Sequence, residues 1–151
     1  MNEKLELIKT MYEAEAANIA KYHAADEAGD SEGCKAAREA HEAWEKLMNE
    51  TDKQFKAVYR LYESMKERGN DMIDFDEPYQ YRNAAETVAM LREYGFDRFS
   101  FSSTWSSAAE TAWEFIQNGC KLTGMIEIRG TVTEFYSNEY KKVPAYTFSV
   151  K

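Results

Sequence analysis

The sequence lacks the features of a membrane protein, a disulfide-stapled secreted protein or a zinc protein. No run approaches the roughly 18 apolar residues of a spanning helix, and the start MNEKLELIKT lacks the basic and then apolar order of a secretory signal. The two cysteines, Cys34 and Cys120, lie far apart in unlike segments, and the two histidines add no zinc-binding spacing. We therefore expect a cytoplasmic chain with no membrane contact, metal or other cofactor.

Basic residues are also in deficit. The 151 residues include 27 aspartates and glutamates but 19 lysines and arginines, which gives a net charge of −8. Phosphate recognition depends on lysine and arginine, and here these residues are spread along the chain. Direct binding of nucleic acid is therefore not expected. Charged residues at 30% and aromatic residues at 14% instead indicate a folded domain.

Periodic apolar positions in residues 1–68 predict an antiparallel helical hairpin, with helices over roughly 1–28 and 31–68. In the second helix the apolar positions recur at steps of three and four, and a sustained repeat of this kind indicates supercoiling with a partner helix. This helix would be about 55 Å long and would overhang the first. Its apolar residues must then be covered by the rest of the chain or by another protomer in a homodimer. The predicted seam residues are Trp44, Met48, Phe55, Val58 and Tyr62.

Residues 69–82 form an acidic linking segment with two interpretations. Asp71, Asp74, Asp76 and Glu77 place four acids in seven residues without a base. A calcium loop is excluded, because the glycine at position six and the terminal glutamate are missing. The segment is then either a solvated connection whose apolar residues hold it to the core, or a negatively charged and partly apolar docking patch.

Residues 83–151 predict a small α-β-α-β-β-β unit with a mixed sheet, packed with the hairpin as one compact α+β domain. Asn83 with Glu86 resembles a capping box, and Gly95 is suited to the helix end. Alternating Phe99 and Phe101 predict a half-buried strand. A parallel crossover should lead from this strand to the strand at 121–129. The last two strands, TVTEFYS and VPAYTFSV, should be added antiparallel, with a hairpin turn at Asn138-Glu139 between them.

The hydroxyl-rich stretch FSFSSTWSSAAETAWEFIQNG is predicted to be a strand edge followed by a helix start, since Ser107 with Glu110 forms a second capping box. It lacks the G-x-S-x-G elbow of a serine nucleophile, and both histidines lie in the hairpin. A phosphate cradle is disfavoured by the lack of glycine, lysine or arginine in the loop. Thr104 and Trp105 mark its apex, where Trp105 is either a lid on the core or an exposed aromatic anchor.

This stretch, continued by CKLTGMIEI and followed by VPAYTFSV, resembles small acidic proteins of unassigned function carried on plasmids, conjugative elements and phages of gut bacteria. The resemblance covers about the last 60 residues. It implies accessory or anti-defence work and transfers no site residues.

The leading hypothesis is a non-enzymatic interaction or accessory protein of a mobile element that binds another protein. One alternative is a DNA mimic that inhibits a nuclease or a restriction or CRISPR defence enzyme. A second alternative is a small enzyme with a site assembled from scattered residues such as Asp74, Asp76, Tyr79 and Arg82. In the leading hypothesis the docking surface comprises Asp71, Asp74, Asp76, Glu77, Thr104 and Trp105.

Overall fold

The computed structural model describes residues 2–76 and 83–150 and confirms an α+β fold, with N-terminal helices followed by a small mixed sheet. The chain divides into two compact units. The helical unit is Glu3–Arg60, and the sheet unit comprises Met1–Asn2 and Leu61–Lys151. No helix in the described part of the chain has the length and hydropathy that a membrane crossing requires.

The helical unit contains the predicted hairpin. Helix α1 spans Glu3–Glu27 and helix α2 spans Ser31–Asn49. The Asp30 side chain caps α2 by accepting the Gly33 N–H at 2.9 Å. The indole Nε1 of Trp44 donates to the carbonyl oxygen of Met11 at 2.8 Å and so ties the two helices together.

An uninterrupted second helix over 31–68 is wrong, because the chain leaves the helix at residues 50–52 and helix α3 starts anew at Lys53–Arg68. The Thr51 hydroxyl donates to the Met48 carbonyl at 2.6 Å, and the Asp52 carboxylate accepts the Phe55 N–H at 2.7 Å. These short side chains compete for backbone groups, so they end one helix and cap the next. The seam positions are therefore divided between α2 and α3.

The sheet unit has four strands among its described residues. They are β1 (Asp74–Phe75), β2 (Arg98–Phe101), β3 (Lys121–Thr133) and β4 (Tyr140–Ser149). Their order in the sheet is β1-β2-β4-β3, with β1 parallel to β2 and the other pairs antiparallel. Helix α4 (Ala84–Tyr94) follows the undescribed residues after β1, and helix α5 (Ala108–Gln117) joins β2 to β3.

The sheet differs from the prediction in three respects. Strand β1 lies in the segment predicted to be a link, and it forms the parallel pair with β2. The strands on either side of α5 do not pair with each other, since β4 lies between them. The two predicted strands at 121–129 and in TVTEFYS merge into the single strand β3, so the three strands predicted after residue 119 are two.

Alternation along β2 places its phenylalanines on one face, as predicted. Phe99 stacks on Phe148 of β4 at 5.1 Å between ring centroids, and Phe115 of α5 meets Phe99 edge-on at 4.9 Å. Phe75 of β1 joins the same face at 5.6 Å from Phe99. This aromatic face is the core against which α5 packs.

One predicted helix cap forms and the other does not. Asn83 accepts the Glu86 N–H at 2.9 Å, and α4 ends at Gly95 with φ of 78°, as the sequence indicated. Ser107 occupies the N-cap position of α5, but its side chain makes no capping hydrogen bond, so the second capping box is wrong.

Candidate functional site: the Asp74 cluster and the β3–β4 loop

The structure separates the residues of the predicted acidic patch. Asp71 is exposed, Asp76 is half-buried, and Asp74 is 4% exposed in strand β1. Glu77 lies outside the described residues. Asp74 therefore cannot present its carboxylate to a docking partner or stand in for a DNA phosphate.

Asp74 is held by serines of the neighbouring strand. The Ser100 hydroxyl donates to Oδ1 and the Ser102 hydroxyl donates to Oδ2, each at 2.6 Å. Ser100 and Ser102 are both buried. They alternate with Phe99 and Phe101, so they point to the opposite face of the sheet. Two serines of the hydroxyl-rich stretch thus donate hydrogen bonds to a buried carboxylate. Because both are buried, neither is an accessible nucleophile.

The charge of Asp74 has a partner at the end of α3. A guanidinium nitrogen of Arg68 lies 3.7 Å from Asp74 Oδ2, and the side chains are 4% and 0% exposed respectively. Burial raises the pKa of Asp74 to about 6, although hydrogen bonds from Ser100 and Ser102 and the charge of Arg68 act in the opposite direction. We call Arg68, Asp74, Ser100 and Ser102 the Asp74 cluster.

The residues around this cluster also hold strand β3. The Arg68 guanidinium donates to the Arg129 carbonyl oxygen at 3.0 Å. The Asn70 side chain accepts the Arg129 N–H at 3.0 Å and donates to the same carbonyl at 2.9 Å. Further along, the Thr131 hydroxyl lies 3.5 Å from Asp76 Oδ2. Residues 68–76 therefore pair with β3 through side chains on the edge that β4 does not occupy.

Among the described residues, the aromatic side chains with the largest exposed fractions lie in the loop 134–139, which joins β3 to β4 and which we call the aromatic tip. Phe135 is 86% exposed and Tyr136 is 95% exposed, with ring centroids 4.1 Å apart. Tyr136 has φ of 59°, in the left-handed region that a large side chain seldom adopts. This loop was not predicted as a site, because the letters EFYS were assigned to a strand. The predicted turn, Asn138-Glu139, lies within the loop.

Backbone hydrogen bonds close the aromatic tip. The Glu134 N–H donates to the Glu139 carbonyl oxygen at 2.8 Å, and the Ser137 N–H donates to the Glu134 carbonyl oxygen at 3.0 Å. The Ser137 hydroxyl accepts the Glu139 N–H at 3.0 Å. The two rings thus lie on a closed loop. Glu134 and Glu139, at the two ends of this loop, each have an exposed acidic side chain.

The predicted apex of the hydroxyl-rich loop is at the surface. Thr104 is exposed and Trp105 is 48% exposed, so Trp105 is not a closed lid on the core. The Ser103 hydroxyl accepts the Trp105 N–H at 3.2 Å. Trp113 on α5 is exposed as well, at 58%.

The seam residues lie in different environments. Trp44 and Met48 of α2 are half-buried, whereas Phe55, Val58 and Tyr62 of α3 are buried. Beside Trp44, the His41 imidazole bonds to the Glu15 carboxylate of α1 at 2.7 Å, and this contact raises the pKa of His41. The histidine is thus satisfied within the hairpin.

Two shallow cavities of the sheet unit share Met72 and Ile126. One is about 270 Å³ and includes Arg129, Glu127 and Lys142, and the other is about 340 Å³ and includes Arg98 and Asp97. Asp74 and Asp76 line neither, and Tyr79 and Arg82 of the hypothetical enzyme site lie outside the described residues. Within residues 2–76 and 83–150, no three histidine, cysteine, aspartate or glutamate side chains are grouped as a metal site requires.

Comparison with known proteins gives one family. Residues 57–150 match the model of a family described as Domain of unknown function (DUF7698). No curated protein and no solved structure matches the chain. The matched range includes β1 to β4, so the Asp74 cluster and the aromatic tip both lie within it.

Proposed function

The chain belongs to the DUF7698 family, since the match spans more than half of it, and on this premise we propose that it is a non-enzymatic protein-binding module that contacts its partner through the aromatic tip. The carrying observation is the near-complete exposure of Phe135 and Tyr136 side by side. Aromatic side chains are enriched at the energetic centres of protein interfaces, because they bury a large area at a small cost in conformational entropy.

The backbone of the tip supports this role. A left-handed tyrosine costs on the order of 1 kcal/mol, and such a conformation persists where the surrounding structure imposes it. Here the hydrogen bonds between Glu134, Ser137 and Glu139 impose it. The loop therefore holds two rings in solvent at a cost to its own stability, as a preorganised contact surface would.

The charges around the rings indicate the chemistry of the partner. Glu134 and Glu139 flank the rings, and the whole chain has a net charge of −8. A complementary partner is a protein with an apolar pocket, for the two rings, and a rim of lysine or arginine side chains. Electrostatic attraction would then accelerate association and make it sensitive to salt.

The test begins with identification of the partner. A photo-crosslinking phenylalanine analogue is placed at position 135 and, as the matched control, at the exposed position 113. A protein that crosslinks at position 135 alone is purified, and its affinity is measured by calorimetry. Replacing both rings, F135A/Y136A, should weaken binding about 100-fold, which is the loss of two interface hot spots.

Two further variants make the test specific. E134Q/E139Q should slow association at low salt and leave the Tm nearly unchanged, because it removes charge without removing the rings. L47A removes an exposed apolar side chain from the helical unit and should leave affinity unchanged. Wild-type affinity in F135A/Y136A would overturn the proposal.

A further inference from the structure

Strand β3 leaves part of its outer edge without a neighbouring strand. In the sheet order β1-β2-β4-β3, it is the last strand and pairs with β4 alone. At Arg129 the outer edge is occupied, because the Asn70 side chain accepts the Arg129 N–H and donates to the Arg129 carbonyl oxygen. Arg129 therefore directs both of its backbone groups away from β4.

The backbone groups of Met125 and Glu127 point in the same direction as those of Arg129. The β3–β4 register has no shift between Gly124 and Arg129, and every second residue of an antiparallel strand directs its N–H and C=O away from the partner strand. Pro144 is paired with Glu127, a position at which β3 requires no N–H from β4. Among the described residues, no hydrogen bond occupies the four outward groups of Met125 and Glu127.

Apolar side chains flank this open part of the edge. Met125 is 60% exposed and Ile126 is 43% exposed, and consecutive residues of a strand lie on opposite faces. The five residues from Leu122 to Ile126 carry no charge, although charged side chains commonly protect edge strands from pairing. The cavity of about 270 Å³ lies beside Ile126. Backbone donors and acceptors with apolar contacts on both faces are complementary to an extended apolar segment.

One acidic side chain beside this edge has no partner in the described part of the chain. Asp71 lines the same cavity, is exposed, and makes no ion pair or side-chain hydrogen bond there. The basic side chains of the cavity have acceptors of their own. Arg129 donates to the Gly69 carbonyl oxygen at 3.3 Å, and the Lys142 ammonium lies 3.9 Å from the Glu127 carboxylate. A complementary segment therefore carries a lysine or arginine that faces Asp71.

We propose that residues 124–127 of β3 bind an extended segment of the partner protein by strand addition. The segment exchanges backbone hydrogen bonds with Met125 and Glu127, covers Ile126 with an apolar side chain, and places a basic side chain at Asp71. The inference rests on the proposed function, because β3 leads directly from this edge to the aromatic tip, so one partner can contact both. A second copy of the chain suits the edge less well, because two chains of net charge −8 repel each other.

Amide hydrogen exchange of the free protein tests the edge without any partner. After correction for intrinsic rates, the outward amides of Met125 and Glu127 should exchange about tenfold faster than those of Ile126 and Ile128, which face β4. Equal protection of all four amides would show that the edge is already covered, and the inference would then be wrong.

A photo-reactive methionine analogue at position 125 identifies the occupant, with the same analogue at the exposed position 47 as the control. The peptide that crosslinks at position 125 alone, identified by mass spectrometry, should be apolar with an adjacent lysine or arginine. In the purified complex, the amides of Met125 and Glu127 should become protected, because strand addition bonds alternate residues. Capture of the chain itself, failure to capture a protein, or a complex without this alternating protection would each overturn the inference.

Two variants at one position separate the backbone contact from the side chain. M125P removes an outward N–H and leaves the bonds to β4, whereas M125A removes the side chain alone. M125P should bind the captured protein about tenfold more weakly than M125A at a similar Tm. D71N should also weaken binding, and E114Q, at an exposed acid of α5, should not. Equal affinities of M125P and M125A would exclude strand addition.

The same protein distinguishes failure of this inference from failure of the proposed function. If F135A/Y136A weakens binding and M125P matches M125A, then the partner contacts the aromatic tip and does not add a strand to β3. If M125P weakens binding and F135A/Y136A does not, then the edge is the binding site and the role proposed for the aromatic tip is wrong.

Discussion

Asp74 belongs to an acidic stretch of the sequence, but the register of strand β1 places its side chain in the interior. Its Cα is paired with that of Ser100, and its neighbour Phe75 packs on Phe99. Since side chains of a strand alternate between faces, Phe75 on the aromatic face sends Asp74 to the face with the serines. The alternation in β2 was predictable from the sequence. The pairing of β2 with a strand 26 residues earlier in the chain was not, because no local pattern records it.

The pKa of Asp74 predicts how stability depends on pH. Folding raises this pKa from 3.8 to about 6, so the folded chain binds the proton more tightly than the unfolded chain. The stabilising contribution is full below about pH 4 and is lost as the pH rises through about 6. Between pH 7.5 and pH 4.5 the free energy of unfolding should gain about 2 kcal/mol from Asp74.

Urea denaturation of the wild type and D74N at both pH values measures this contribution, because the other titrating groups cancel in the difference. A wild-type minus D74N difference that does not change with pH would show that Asp74 titrates normally.

Among the helices and strands, those marked by local sequence signals were predictable, whereas those that depend on pairing with a distant segment were not. Helix α4 was predictable because Asn83 and Gly95 mark its two ends within the sequence itself. The interruption at residues 50–52 was missed, because the heptad pattern continues through it and Thr51 and Asp52 also suit an exposed helix surface. Two-residue β1 was missed because its only pairing partner is distant in sequence.

Strand β3 is an edge strand, and Asn70 covers part of its edge. The amide of Asn70 satisfies both backbone groups of Arg129, as a neighbouring strand would. N70A should lower the free energy of unfolding by about 1–2 kcal/mol, for two lost hydrogen bonds at a partly exposed position. N70D, which accepts from the N–H but cannot donate to the carbonyl, should lie between.

Chemical denaturation measures these differences, with the exposed loop change N138A as the control. If N70A is as stable as N138A, then the contact between Asn70 and Arg129 contributes nothing to stability.

For the whole molecule, the sequence-based case for a homodimer depended on an overhanging second helix. That helix is interrupted, and Phe55, Val58 and Tyr62 are 6%, 0% and 5% exposed in a single chain. These three seam side chains of α3 are therefore buried without a second protomer. Among the described residues, most of the exposed large apolar side chains lie in the sheet unit, and those of the aromatic tip have the largest exposed fractions.

Net charge and this surface together predict self-association that depends on pH. At pH 8.0 the acidic excess should keep the chains monomeric, whereas at pH 5.0 partial neutralisation should let the exposed rings associate. Sedimentation velocity at both pH values should show this increase in the wild type and a smaller one in F135A/Y136A. An equal increase in that variant would place the association elsewhere, and dimers at pH 8.0 would support the homodimer prediction.

The sequence alone determined the properties that depend on near neighbours: the helical hairpin, the α4 caps, the alternation in β2, the charge balance and the α+β class. Tertiary structure decided the strand order, the burial of Asp74 between Arg68 and two serines, and the exposure of Phe135 and Tyr136. Periodicity records which side of an element an apolar residue occupies, because it is fixed by backbone geometry. It does not record which distant element lies opposite, and burial depends on that neighbour.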